Sequence, residues 1–155
     1  MTPAKVRTCL WFDGKAEGAA HFYVSLISGS RIDHIFRPTP NGPALTVAFT
    51  LAGTPYVALN GGPRFTFTEA ASISVTTQDQ DETDRMWSAL TADGGQESRC
   101  GWLKDKFGLS WQIVPARLPE LLTDPDPQRS KRAMEAMMQM SKIDIARLEA
   151  ATDGR

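Results

Sequence analysis

Apolar positions along this chain follow two periods in turn. Val6 to Phe12 is an almost unbroken apolar and aromatic run of strand length, and Asp13-Gly14 breaks it. From Lys15 to Ile27 the apolar positions Ala16, Ala19, Ala20, Tyr23, Leu26 and Ile27 recur at three- and four-residue steps. That spacing predicts a helix with one buried stripe. Arg31–Phe36, Ala44–Leu51 and Pro55–Leu59 then predict three strands, parted by Pro38–Pro43 and by Ala52-Gly53-Thr54, both rich in turn formers.

The order then begins again. Ala71 to Thr77 alternates with β-branched residues, and Asp79 with Glu82 forms a capping box. The helix it starts runs through Leu90, with Thr83, Met86, Trp87 and Leu90 inward, and Gly94-Gly95 stops it. Short strands are expected around Gln96–Ser98 and Gly101–Lys104, and a last one at Leu109–Val114. Placing Tyr23 on Trp87 also places Phe22 on Met86, Leu26 on Leu90 and Thr8 on Ser72.

The repeated plan is strand, helix, three strands. A four-stranded sheet with a helix on one face leaves its other face unburied, and two such sheets can line a shared cleft. The expected fold is α+β: one domain over 1–155, with βαβββ modules at 5–62 and 70–115 forming a curved mixed sheet around a cleft. A helical tail at 116–155 completes the expected organisation. Leu118–Leu122 opens that tail. Asp126 with Pro127 starts a helix bearing Met134, Met137 and Met138, and Ser141 with Asp144 caps a last one bearing Ile143, Ile145 and Leu148.

Composition narrows the function classes. With 17 basic and 18 acidic side chains the formal charge is -1, which leaves no electrostatic footprint for nucleic acid. No apolar run nears the roughly 20 residues of a membrane helix, so no membrane partner is expected. The start lacks an apolar leader core, and a cytoplasmic location is expected. Cys9 and Cys100 stand far apart with no ligand spacing, which excludes a zinc ribbon or disulfide scaffold on count and predicts reduced, buried thiols.

Several stretches resemble a known family. Cys9-Leu-Trp-Phe-Asp-Gly-Lys-Ala-Glu17 with Phe22-Tyr23, and Ala58-Leu-Asn-Gly-Gly-Pro63, resemble PhnB-like proteins. The strongest match is Gly101-Trp-Leu-Lys-Asp105 with Phe107-Gly-Leu-Ser-Trp-Gln-Ile-Val-Pro115, and Asp124-Pro-Asp-Pro127 and Lys142-Ile-Asp-Ile145 extend it. This is the 3-demethylubiquinone-9 3-methyltransferase-like branch of the vicinal-oxygen-chelate (glyoxalase and bleomycin-resistance) superfamily. The resemblance implies the glyoxalase-like fold and a homodimer. Methyl transfer from S-adenosylmethionine usually relies on a glycine-rich strand-to-helix turn, and neither Gly61-Gly62 nor Gly94-Gly95 lies in one.

Metal-dependent members of that superfamily hold their ion on the first and last strands of each half. Matched to this chain, those positions are Thr8, Ser72, Gln112 and either Val57 or Ala58, a poor donor set for a divalent ion, so no metal or other cofactor is expected. If Thr8 faces the cleft, alternation sends Leu10 and Phe12 there and turns Cys9 and Trp11 to the helix layer. The same rule brings Ser72, Ser74, Thr76, Ser110, Gln112 and Val114 to the cleft. Trp11, Trp87 and Trp111 are expected in the core, and Trp102 as a cleft wall. The expected ligand-binding residues are therefore Thr8, Leu10, Phe12, Ser72, Ser74, Trp102 and Gln112, with catalytic residues unassigned. They suit a small, partly apolar molecule bound without a metal. The alternatives are an enzyme of the same fold, metal-dependent or otherwise, and a dimeric interaction module. The tail's methionine and isoleucine faces are expected to support the dimer or close the cleft.

Overall fold

The first apolar run forms a strand, β1 (Thr8–Phe12), and the stripe after it a helix, α1 (Ala16–Leu26). This computed structural model describes residues 2–155, and Met1 lies outside the described residues. The chain divides into two compact units, Met1–Phe67 and Thr68–Arg155.

In the first unit β2 (Arg31–Phe36), β3 (Thr46–Leu51) and β4 (Thr54–Asn60) complete a sheet in the order β1-β4-β3-β2. β1 and β4 run parallel, while β3 is antiparallel to both its neighbours. Ala16, Ala19, Ala20 and Tyr23 of α1 are all fully buried. The three alanines let the helix approach the rings of Phe49 and Tyr56, which stack at 5.3 Å between centroids. Lys15 provides no side-chain cap for α1. Asn60 at the end of β4 does so instead: Ala16 N donates to its Oδ1 at 2.9 Å, and its Nδ2 donates to the Ala44 carbonyl at 3.0 Å. The sheet's last strand thus positions the helix's first turn.

The second unit repeats the plan with β5 (Ser72–Thr77), α2 (Gln80–Thr91), β6 (Gln96–Glu97), β7 (Trp102–Lys104) and β8 (Ser110–Pro115). Its order is β5-β8-β7-β6, again with the first and last strands parallel. Asp79 caps α2, accepting from Glu82 N at 2.8 Å, while Glu82 reaches back to accept from Gln78 N at 2.7 Å. Thr83, Met86, Trp87 and Leu90 form the buried face, as their spacing predicts. Asp105, 2% exposed, turns the chain between β7 and β8. It accepts from Phe107 N, Leu109 N and Trp111 Nε1, so this buried carboxylate is well satisfied.

Three helices follow: α3 (Arg117–Leu122), α4 (Pro127–Met137) and α5 (Ile145–Thr152). Asp126 caps α4, as expected. The start of α5 is corrected: Asp144 itself is the cap, accepting from Arg147 N, so Ser141 and Ile143 precede the helix. Leu118, Leu121, Ala133, Met140, Ile143 and Leu148 make the tail's own core, with Met137 packed against it. Gln80 clamps the segment between α4 and α5, donating to the Ile143 carbonyl at 3.0 Å and accepting from Ile145 N at 2.8 Å. Cys100 N and Gly101 N donate to the carbonyls of Met140 and Ser141, both at 2.8 Å. Gly101 is required there: its φ is +85° and a Cβ would lie 2.9 Å from the Ile113 carbonyl oxygen.

Candidate functional site

Strand pairing decides which face each residue occupies, because paired residues share a face and their sequence neighbours take the other. In the first unit Tyr56, Ala58 and Asn60 lie under α1, and they pair with Thr8, Leu10 and Phe12. The expected parity of β1 is therefore corrected. Leu10 (7% exposed) and Phe12 (3%) are core residues beneath the helix, and Thr8 shares their face. Cys9 and Trp11 stand on the open face instead. Thr8 corresponds to Ile73 by its place in the pairing, not to Ser72, and that slip of one residue reverses the strand.

Three rows cross the open face of the first sheet. Phe36, Thr46, Leu59 and Trp11 form the first, then His34, Ala48, Val57 and Cys9, then Arg31, Thr50 and Pro55. The chain after β4 returns over the first row. Trp11 Nε1 donates to the Gly62 carbonyl at 2.9 Å, and Phe65 meets the Trp11 ring edge-on at 4.9 Å. Gly61 permits this approach, since a Cβ would come within 2.4 Å of the indole.

Over the second and third rows lies a concavity of about 680 Å³. Ala48 and Val57 form its floor, with His34, Arg31 and Asp33 on the β2 side and Arg7 beyond the start of β1. A bulge in β2 between Ile32 and His34 lets the strand present Asp33 as well as His34. Asp33 is committed locally: Arg31 Nε donates to one oxygen at 2.7 Å and Thr50 Oγ1 to the other at 2.6 Å. Burial pushes the Tyr56 phenol above its ordinary pKa. The arrangement is a small-residue floor with polar, partly cationic sides.

In the second unit the expected parity describes the structure. Thr77 and Thr83 share a hydrogen bond of 2.6 Å, which sets Ile73, Val75 and Thr77 toward α2. Ser72, Ser74, Trp102 and Gln112 consequently share the open face, with Ser110 and Val114 beside them. Gln112 Nε2 donates to Ser72 Oγ at 3.0 Å, and Trp102 pairs with Gln112 from β7. Trp87 and Trp111 are core residues, 3% and 0% exposed. Cys9 is exposed and Cys100 half-buried, and both are free thiols rather than buried ones as expected.

A family model described as 3-demethylubiquinone-9 3-methyltransferase matches residues 4–114. The chain belongs to this family. The PhnB protein of Bacillus cereus, bearing the same methyltransferase description, is 35% identical. The match covers 73% of this chain and 100% of that one, with a TM-score of 0.66. A Pseudomonas aeruginosa protein at 17% identity covers 72% and 97% of the two chains with a TM-score of 0.59. The fosfomycin resistance protein FosX of Listeria monocytogenes, at 13% identity, covers 79% and 99% with a TM-score of 0.55. These last two show the fold alone, that of the glyoxalase/bleomycin-resistance proteins. No curated protein matches the chain. The family model stops before α3, so the three tail helices lie beyond it.

A metal site of the superfamily's kind does not fit these residues. Pairing selects Val57, not Ala58, for the open face of β4, and Cys9 in place of Thr8 on β1. Ser72 and Gln112 already bond to each other. Neither the thiol and valine of the first unit nor the hydroxyl and amide of the second supply the imidazoles and carboxylates that hold a divalent ion. Among the described residues no three His, Cys, Asp or Glu side chains gather into a metal-binding group, and no helix is long and apolar enough to cross a membrane.

Proposed function

We propose that the open face of the first unit binds a small, partly apolar molecule without a metal. The observation that carries this reading is the concavity of about 680 Å³ over Ala48 and Val57. Its size falls in the range of about 300–1,000 Å³ usual for small-molecule sites, and its lining joins an apolar floor to a few polar groups along its sides. Ser72, Ser74, Trp102 and Gln112 are proposed as ligand-facing positions of the second unit. The family's description names methyl transfer to a demethylubiquinone. Gly61-Gly62 leaves β4 without entering a helix, and Gly94-Gly95 follows α2 rather than preceding one, so binding is favoured over transfer from a nucleotide-type turn.

The protein is also proposed to be a cytoplasmic homodimer. Phe36 and Phe65, 47% and 55% exposed, and Met134 and Met138, 44% and 54% exposed, support a second copy. Ile143 and Leu148 are fully buried in the tail's own core, so Met134 and Met138 carry the tail's proposed part in the dimer. A monomer by light scattering at micromolar concentration ends the dimer reading. The binding reading is tested with anilinonaphthalene sulfonate, a fluorescent probe with an apolar body and an anionic head. Saturable one-to-one binding that Ala48→Trp abolishes is expected. Equal binding by the variant contradicts the site.

A further inference from the structure

Ser110 opens β8 and stands in the row Gln96, Lys104, Ser110, Ser72 across the open face of the second sheet. The residue is 1% exposed. Its hydroxyl is the buried side-chain polar atom left without a hydrogen-bond partner among the described residues. A buried hydroxyl in that condition is disfavoured unless a water, an ion or a ligand completes it. It lines a cavity of about 130 Å³, walled by Trp102 and Leu103 and bounded by Gln96, Ser98 and Lys104.

The groups around this cavity are mostly donors. Lys104 carries an ammonium, and Gln96, Ser98 and Ser110 can each donate. Glu97 also borders the cavity, but it already accepts from Trp87 Nε1 at 2.6 Å. Glu69 supplies a carboxylate from the chain before β5, ion-paired with Lys104. Glu69 is 64% exposed and Lys104 36% exposed in that pair, and such pairs are weak enough to exchange.

We propose that the cavity is a binding pocket for a small carboxylate, which displaces Glu69 from Lys104 and accepts a hydrogen bond from Ser110 Oγ. Glu69 is then a built-in competitor that occupies the ammonium when the pocket is empty. The volume matches about four waters at roughly 30 Å³ each, which limits the ligand to acids of acetate or propionate size. The pocket lies wholly within the second unit and shares no residue with the concavity, so the two proposals fail separately.

Amide NMR of the full chain titrated with sodium acetate tests this, with sodium chloride at equal ionic strength as the control. Saturable shifts at Lys104 and Ser110 are expected with acetate and not with chloride. Glu69→Gln should tighten acetate about two- to fivefold, the scale of losing an exposed competing ion pair. Ser110→Ala should weaken it about tenfold, the scale of a lost hydrogen bond to a charged group. Lys104→Met should abolish it. Should Ser110→Ala fail to fold, the opposite effects of the other two variants decide. Shifts that never saturate, that chloride reproduces, or that survive Ser110→Ala unchanged would overturn the proposal, leaving Ser110 as a water site.

Discussion

The two units share one plan and fill it in opposite ways. In the first, α1 offers Ala16, Ala19 and Ala20 while the sheet supplies Phe49, Tyr56 and Phe12. In the second, α2 itself supplies Met86, Trp87 and Leu90, and meets Ile73, Leu103, Trp111 and Ile113. Matched by the four buried positions of each helix, Ala19 answers to Met86 and Ala20 to Trp87, three residues out of step with the sequence match of Tyr23 to Trp87. By strand pairing Tyr56 answers to Trp111. The volume needed to close each core is divided differently between helix and sheet, so neither helix fits the other sheet. The open faces diverge as well. The first has an alanine and valine floor with charges toward both edge strands, Arg31, Asp33 and His34 by β2 and Arg7 by β1. The second carries hydroxyls and an amide, of which Ser72 and Gln112 bond to each other. A duplicated frame thus conserves pairing and leaves both surfaces free to change.

The largest expected effect comes from Trp111. Trp111→Ala should destabilise by about 3–5 kcal/mol, the range for truncating a buried aromatic, and should exceed Tyr56→Ala in urea unfolding. The excess arises because Asp105 loses the Nε1 donor that Trp111 gives it at 2.9 Å. Equal losses in the two variants would break the distinction between the units. Next in size is a helix exchange. Ala19→Met should cost about 1–3 kcal/mol by overpacking against large sheet residues, while Met86→Leu should cost less than about 1.5 kcal/mol. If Ala19→Met is neutral, the first core is not closed by small helix residues.

A smaller effect compares the ion pairs. Arg37 donates to both oxygens of Glu17, at 2.6 and 3.0 Å, and also to the Gly42 carbonyl. The Arg37 hydrogen bond holds the Glu17 carboxyl below its ordinary pKa, and the Lys104 hydrogen bond does the same for Glu69. Each pair therefore contributes stability above the ordinary glutamate value of about 4.3, lost as the pH falls through the lowered folded value. Arg37→Met should flatten the acid limb of the stability profile more than Lys104→Met does, since the Glu17 pair is less exposed. The reverse order in denaturation measured from neutral to acid pH would contradict this.

The helices and most strands were legible because their period and caps lie in adjacent residues, as at Asp79 with Glu82 and Asp126 with Pro127. The second unit's open face was legible for the same reason: Ser72, Ser74 and Thr76 alternate with Ile73 and Val75. β1 was not. Its residues Thr-Cys-Leu-Trp-Phe are apolar at both parities, so period alone cannot choose the buried face. Aligning Thr8 with Ser72 chose the wrong one. The concavity was missed with it, because Arg31, Asp33 and His34 meet Ala48 and Val57 only through long-range pairing and an inserted bulge residue. Ser141 misled because a capping box can be read at Ser141 and Asp144, whereas the clamp by distant Gln80 holds Ile143 outside the helix.

The central claim is that the first unit's open face, floored by Ala48 and Val57, is the binding surface for a small, partly apolar molecule. The most direct measurement is an amide NMR map of the full chain saturated with anilinonaphthalene sulfonate. The account predicts that the largest saturable shifts fall on His34, Ala48, Thr50 and Val57, with Leu10 and Phe12 little affected beneath α1. Saturable shifts centred on Leu10 and Phe12, shifts confined to the second unit, or no saturable shift in the first unit would contradict it.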